Sequence, residues 1–521
     1  MIGAAQKPMI GAGIMATPSE KLAESLELLH EAQQNGQLTI RAGMLPRTHQ
    51  ERLVRQGFLR EIIKGWYVPS APDELPGDST PWYASYWHFS ADYLNERFGN
   101  EWCLSPEQSL LLHAGNWTIP QQLLVRAPRG SNKKTDLPHN TSLFDVRYAF
   151  PEQQATEKIE NLSVYKLEPA LVACSEKFFT QHPTDARAVI AMIIEPSKLL
   201  SLLLEGGHSV IAGRLAGAFR NIGKDTIADT IIQTMKAAEY NARETDPFDA
   251  PLPLTFQNRA PSPYVNRLRV AWQTMREAII GHFPKPANPP TDIKKHLEKI
   301  EANYVTDAYH SLSIEGYRVS RELIERVRSG SWRPENNITD RNHKDALAAR
   351  GYWQAFQAVK QSIRHTLEGN DVAKTIAQDH VAWYRELFGP CVTAGLLKPA
   401  DLAGYRHNPV YIRQSMHVPA NWETVPELLQ AFFELLGEEP DPGVRVVLGH
   451  FFFVNIHPYM DGNGRMGRFL MNVLLTTSGF PWTVIPVEQR DIYMGSLEQA
   501  SVGQDIQPFC GFIADLVKKA K

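Results

Sequence analysis

The sequence predicts a multidomain protein: a mainly α-helical C-terminal half behind an N-terminal half combining a winged helix with mixed α/β structure. Three observations carry that prediction. A glycine-rich segment, residues 457–468, sits between two apolar runs of helical character, Val446 to Ile456 and Phe469 to Leu475. A proline-dense stretch from Asp246 to Pro263 divides the chain. Near the start, residues 58–68 alternate in a strand-like pattern behind a short basic helix.

Taken in order, residues 1–18 are expected to be disordered. Ser19 to Asn35 is an amphipathic helix with Leu22, Leu26, Leu28 and Leu29 on or near one face. A short helix, a basic helix from Arg47 to Gln56 and a β-wing then complete a winged helix-turn-helix over 19–75. Between Arg41 and Lys64 six Lys/Arg face two Glu, a surplus suited to phosphate backbones. Arg47, Arg52 and Arg55 are the candidate DNA contacts. Residues 76–245 read as mixed α/β and 246–265 as a linker. The C-terminal domain occupies 266–521, with a loop from Phe283 to Pro290, a helix at about 298–316, a core at about 376–480 and closing helices.

Composition narrows the classes. At 521 residues there is room for about two to four domains. A net charge of −3 confines any nucleic-acid site to a local patch. Cys103, Cys174, Cys391 and Cys510 show no CxxC spacing, which argues against zinc or a disulfide scaffold and favours a reducing cytoplasm. No apolar run reaches the ~18 residues of a membrane span, and the N-terminus lacks a secretory layout. No membrane partner is expected.

The chemistry is concentrated in His457-Pro458-Tyr459-Met460-Asp461-Gly462-Asn463-Gly464-Arg465-Met466-Gly467-Arg468. A helix N-terminus offers unpaired N–H groups and the positive end of the dipole. Gly462 and Gly464 let the backbone close on an anion. Arg465 and Arg468, three apart, share a helix face and reach phosphate oxygens together. Asp461 can hold a hard cation such as Mg²⁺ or Mn²⁺ against phosphates. His457 is placed to take a proton from an incoming hydroxyl. Gly462-x-Gly464-x-x-Gly467 also fits the dinucleotide fingerprint, but that pattern follows a β-strand, and here a helix precedes it.

This stretch resembles the core motif of Fic (Fido-fold) proteins, H-P-F-x-[D/E]-G-N-G-R-x-x-R, with Tyr459 in place of the usual Phe. The resemblance covers about residues 266–521. It implies transfer of AMP from ATP to a Tyr, Thr or Ser hydroxyl of a protein, the protein itself included. It also implies His457 as base, Asp461 as metal ligand, and Asn463 with the amides of Gly462 to Gly467, Met466 included, as phosphate cradle. Arg465 and Arg468 would hold the outer phosphates. Gly404-Tyr405-Arg406 and Val410-Tyr411-Ile412 resemble the family's flap, a β-hairpin that aligns the target. Tyr493 lies in a stretch resembling the adenine-side helix, as a nucleoside-pocket wall or as plain core. His450, on an apolar helix, reads as a structural residue.

Ser311-Leu312-Ser313-Ile314-Glu315-Gly316 matches the family's inhibitory pattern, [S/T]-x-x-x-E-[G/N]. On a helix Ser311 and Glu315 share a face and Gly316 stops it. A carboxylate paired with Arg468 would occupy the guanidinium that grips ATP. The N-terminal segment resembles AbiE-type antitoxin regulators in Leu53-Val54-Arg55-Gln56-Gly57-Phe58-Leu59 and Gly65-Trp66-Tyr67, and more weakly as far as Gly223-Lys224. The sequence therefore points to an ATP- and Mg²⁺-dependent, self-restrained adenylyltransferase, with oligomers open. The competing class is a DNA-binding regulator whose Fic half senses nucleotide or modifies only itself.

Overall fold

A computed structural model describes residues 17–72, 77–248, 262–287, 289–332 and 344–520. Residues 1–16 of the expected disordered segment, and 249–261 of the expected linker, lie outside the described residues. The chain divides into two compact units: 1–104 with 120–152 and 158–163, and 105–119 with 153–157 and 164–521.

In the first unit, α1 (Pro18–Gln34) starts at Thr17, whose hydroxyl and Glu20 form a reciprocal capping box. A two-residue strand, β1 (Ile40–Arg41), stands where a short helix was expected. Its backbone pairs antiparallel with Trp66 and Tyr67, and this pairing replaces a helix too short to nucleate by itself. Helix α2 (Arg47–Arg55) follows, then β2 (Leu59–Ile63) and β3 (Trp66–Pro69), in a sheet of order β1-β3-β2. Leu29, Ile40, Leu45, Leu53 and Leu59 form its core. After the aromatic helix α3 (Thr80–Phe98), strands β4 (Cys103–Leu104), β5 (Gln122–Ala127), β6 (Lys133–Asp136) and β7 (Ser142–Arg147) make a sheet of order β4-β5-β7-β6. Within this sheet β5 and β7 run parallel, and the β4–β5 and β6–β7 pairs are antiparallel.

The second unit is helical, and it begins well before the expected boundary at 246–265. Asp185, fully buried on the helix Pro183–Met192, explains the early start. It accepts from Asn116 Nδ2 (3.1 Å), Arg267 Nε (2.8 Å) and Gln504 Nε2 (2.9 Å), tying segments from both sides of the proline-rich stretch. A buried carboxylate needs such partners, so these helices fold with the C-terminal ones.

At the centre of the unit, Pro442–Ile456 and Asn463–Thr477 pack together and are buried on nearly every face. A helix apolar all round belongs in a core, and Lys344–Leu367, Val372–Thr393 and Val425–Glu438 contribute to the same cluster. Ahead of them the expected single helix at about 298–316 is two, Ile293–Ala302 and Tyr304–Ile314, broken at Asn303. Arg490–Val502 and Gln507–Lys519 close the chain. Residues 404–412 form no strand, so the expected β-hairpin is an irregular segment. Its backbone is drawn elsewhere: Arg406 N donates to Pro458 O at 2.9 Å.

Candidate active site

The loop between the two central helices is built by backbone geometry. His457 ends the first helix in the left-handed region (φ 54°, ψ 60°), a conformation costing a non-glycine residue about 1–2 kcal/mol. Its N–H donates to Phe453 O at 3.2 Å, and its Nδ1 lies 3.2 Å from Val454 O. A carbonyl only accepts, so Nδ1 carries the proton and Nε2 keeps the lone pair. Burial, helped by the charge of Arg406, pushes the imidazole pKa down to about 4 against the opposing pull of the Val454 hydrogen bond, Glu315 and Asp461. The ring is therefore neutral at physiological pH.

Gly462 caps the second helix at φ 81°, and a Cβ there would sit 2.7 Å from Phe388 Cε2. Only glycine satisfies both conditions. The Gly462 N-cap supplies no side-chain cap to the first turn, so its amides remain an anion site. Asn463 is turned away from that site. Its Oδ1 accepts from Tyr459 N (2.9 Å) and its Nδ2 donates to Tyr459 O (2.8 Å). The side chain assigned to the phosphates by resemblance is instead a brace across the loop.

The Arg465 guanidinium lies over the rings of Tyr317 (5.1 Å) and Phe388 (4.9 Å), with Nη2 3.4 Å from Asp461 Oδ2. Arg468 donates from Nε to Ser311 Oγ (2.8 Å) and from Nη2 to Ser311 O (3.0 Å) and Glu315 Oε1 (2.6 Å). Among the described residues, Arg465 Nε and Arg468 Nη1 are buried donors without a partner. Burial opposes ionisation of Glu315, but Arg468 and Arg465 outweigh it and hold its carboxyl below the ordinary range. A Cβ on Gly464 would run into Glu315 Oε1, so this carboxylate occupies the mouth of the cradle.

Comparison with known proteins agrees with that geometry. Residues 371–475 match the Fic/DOC family model.

The chain carries a Fic domain.

Over 220 residues the chain is 31% identical to proteins named protein adenylyltransferase Fic from Drosophila willistoni and Drosophila virilis. The alignments take in 42% of this chain and 40% and 41% of those relatives, so the chain spans about two fifths of their length. Among solved structures, a fragment of Fic-1 from C. elegans aligns with 61% of this chain and 89% of its own at 20% identity, with a TM-score of 0.36.

Within and around the Fic domain, burial separates the predicted residues that pack the interior from the one that stays at the surface. Tyr493 is 1% exposed, so no face is open to a base; its hydroxyl lies 2.8 Å from His450 Nε2 and its ring packs on Phe512. It is core, and His450 is its partner, fully buried with Nδ1 2.9 Å from Gly467 O. Met466 is likewise fully buried, and a Cβ on Gly467 would meet Val454 Cγ2 at 2.7 Å, so the side-chain positions of both serve packing, which says nothing against the role expected of their amides. Asp461 stays exposed at 68% of its side chain.

Around the flap, Val410, Tyr411 and Ile412 are half-buried and Gly404 precedes Tyr405, whose hydroxyl lies 3.1 Å from His380 Nε2. Gly316 takes φ 87° and ends the Glu315 helix as predicted for a stop. Sequence reasoning missed Tyr317 and Phe388, the rings around Arg465, because neither belongs to a motif. It also missed His417, buried beside the helix Pro442–Ile456 with Nε2 3.0 Å from Asn455 O. In the first unit, Arg52 bonds Lys21 O and Ser25 Oγ on α1 and Arg47 pairs with Glu51 at 2.7 Å. Of the three candidate DNA contacts, Arg52 is turned inward and Arg55 is exposed.

Proposed function

We propose that the second unit transfers AMP from ATP to a Tyr, Thr or Ser hydroxyl of a protein, and that Glu315 restrains it. The observation that carries this reading is the filled cradle. An anion, Glu315, already sits on a helix N-terminus and a buried guanidinium, beside a histidine with an uncommitted Nε2. The names of the Drosophila relatives support AMP as the transferred group.

In the reaction the target oxygen attacks the α-phosphorus of ATP as the bond to the bridging oxygen breaks and pyrophosphate leaves. His457 Nε2 takes the hydroxyl proton; the Nδ1 hydrogen bond to Val454 O holds the ring in the required tautomer. Arg465, Arg468 and the first-turn amides of the second helix hold phosphate oxygens. The donor set fits a Mg²⁺ or Mn²⁺ ion bound largely through phosphates. Asp461 offers one exposed carboxylate, and no cluster of three His, Cys, Asp or Glu occurs among the described residues. Such an ion would neutralise phosphate charge.

A second, subordinate reading concerns the first unit. The α2 helix followed by a β2–β3 wing in a β1-β3-β2 sheet favours a DNA-binding module. His457→Ala in a Glu315→Gly background separates the two readings. The enzyme reading expects labelled-AMP transfer from ATP to vanish while ATP still binds. Undiminished transfer would overturn it. DNA binding that responds to nucleotide and survives the substitution would favour the regulator.

A further inference from the structure

Arg406 is 3% exposed, and among the described residues no carboxylate pairs with it. Its guanidinium is spent on backbone carbonyls: Nε donates to His457 O at 2.8 Å, Nη2 to Ala420 O, and Nη1 to Asn408 O at 3.5 Å. Its own N–H holds Pro458 O at 2.9 Å. An unpaired buried cation is rare enough to require a purpose.

The purpose lies in how His457 is held. Its N–H is bound by Phe453 O, its Nδ1 by Val454 O and its carbonyl by Arg406. Three of its four polar groups are thereby committed, and among the described residues Nε2 alone is left to act. The first two contacts are internal to the helix end. The third alone ties the histidine to a different segment, the one running past Tyr405 to Ala420.

We propose that Arg406 is a positioning residue for the His457 base. Its guanidinium cross-links the carbonyls of His457 and Ala420, so the left-handed turn that aims Nε2 and the segment 404–420 form one body. This rests on the transferase reading above. The residue also acts through space: its charge opposes protonation of His457, reinforcing burial against the opposing carboxylates Glu315 and Asp461. His417, the other histidine nearby, is itself held neutral by burial, its pKa pushed down to about 4. Arg406 thus aims the base and adds to the burial that keeps it unprotonated.

The test uses the full chain carrying Glu315→Gly, alone and with Arg406→Lys or Arg406→Gln. Transfer kinetics are read beside the titration of His457 by NMR on histidine-labelled protein, with His457→Ala for assignment. Arg406→Gln is expected to lower kcat about 10²-fold, as for a misplaced catalytic group, with KM for ATP unchanged. The His457 midpoint should rise by about one pH unit. Arg406→Lys keeps the charge but cannot span both carbonyls, so the midpoint should stay and kcat recover only in part. A parental kcat and midpoint in Arg406→Gln, or a raised KM with unchanged kcat, would overturn the proposal. If Arg406→Gln fails to fold, a parental kcat in Arg406→Lys refutes it and a reduced one with an unmoved midpoint supports it. Absence of transfer in the Glu315→Gly parent would count against the transferase reading, while a parental His457 midpoint in Arg406→Gln, read without turnover, would overturn the Arg406 proposal by itself.

Discussion

The Glu315 carboxylate and the Arg468 guanidinium meet at 2.6 Å although 153 residues separate them in the chain. Ser311 fills the neighbouring edge of the same guanidinium through both its hydroxyl and its carbonyl. The pair is unequal: the Arg468 side chain is 4% exposed and that of Glu315 is 26%. The carboxylate is therefore the partner able to leave, at the end of a helix that Arg490 holds through Ile314 O at 2.9 Å. Under the proposed function, an incoming polyphosphate would have to displace it from Arg468 before gripping that side chain.

Removing the carboxylate should release the site. A charge-assisted hydrogen bond contributes about 1.5–3 kcal/mol, so Glu315→Gly is expected to raise AMP transfer about 10- to 100-fold. The same change leaves Arg468 buried with only the Ser311 oxygens. The ligand-free variant should melt below the parent and regain stability on adding ATP. Intact-mass measurement of transfer, together with melting curves with and without ATP, checks both halves. Unchanged transfer with intact ATP binding would discard the brake.

Asn463→Ala removes the brace on Tyr459. Two hydrogen bonds contribute about 1–3 kcal/mol together, and that loss of stability is the expected effect. Transfer should fall because the loop between His457 and the second helix loosens. An unbraced loop presents its amides less well, so ATP affinity should weaken while heat-stable secondary structure remains. Calorimetric titration with ATP and circular dichroism on the same sample make the comparison.

Tyr459→Phe should be tolerated. The Tyr459 ring stacks on Tyr384 at 3.9 Å, and its buried hydroxyl has no hydrogen-bond partner among the described residues. Replacing an unsatisfied buried hydroxyl with hydrogen is expected to be neutral or to stabilise by about 1 kcal/mol, with transfer unchanged. A chemical-denaturation midpoint well below the parent's would show that the hydroxyl has a partner after all.

Acid should act on stability through the buried histidines, three of them most strongly. Burial pushes His417 and His457 down to about 4 and His450 to about 3, from an ordinary 6.5. Because their folded values lie below the unfolded one, the unfolded chain binds more protons between these limits. The stability they contribute is present above about 6.5 and is lost progressively as pH falls through that value toward 4 and 3. Melting temperatures across this range should decline with acidity. Transfer by protein that remains folded should hold steady until pH nears 4, where the base itself becomes protonated.

Much of the site was legible because its information is local. Residues 457–468 specify helix, turn and helix through neighbouring residue types, and the glycines occur where backbone angles and close packing require them. The pattern around Ser311 and Glu315 marked a helix ending in a glycine stop, which is also a local property. Side-chain direction was not legible in the same way. Asn463 and Met466 sit inside the motif yet point into the loop and the core, and the alternation at 404–412 produced no ladder.

The amino-acid sequence by itself determined the glycine-capped helix start and the placing of His457, Arg465 and Arg468 around it, since each depends on residues a few positions apart. Only the tertiary structure decided that Glu315 occupies Arg468, that Arg406 clamps the His457 carbonyl, and that Tyr493 belongs to the core. Those outcomes depend on which distant segments share a buried space. There, a charge or hydroxyl must find a partner across tens or hundreds of residues, and no local pattern records which one it finds.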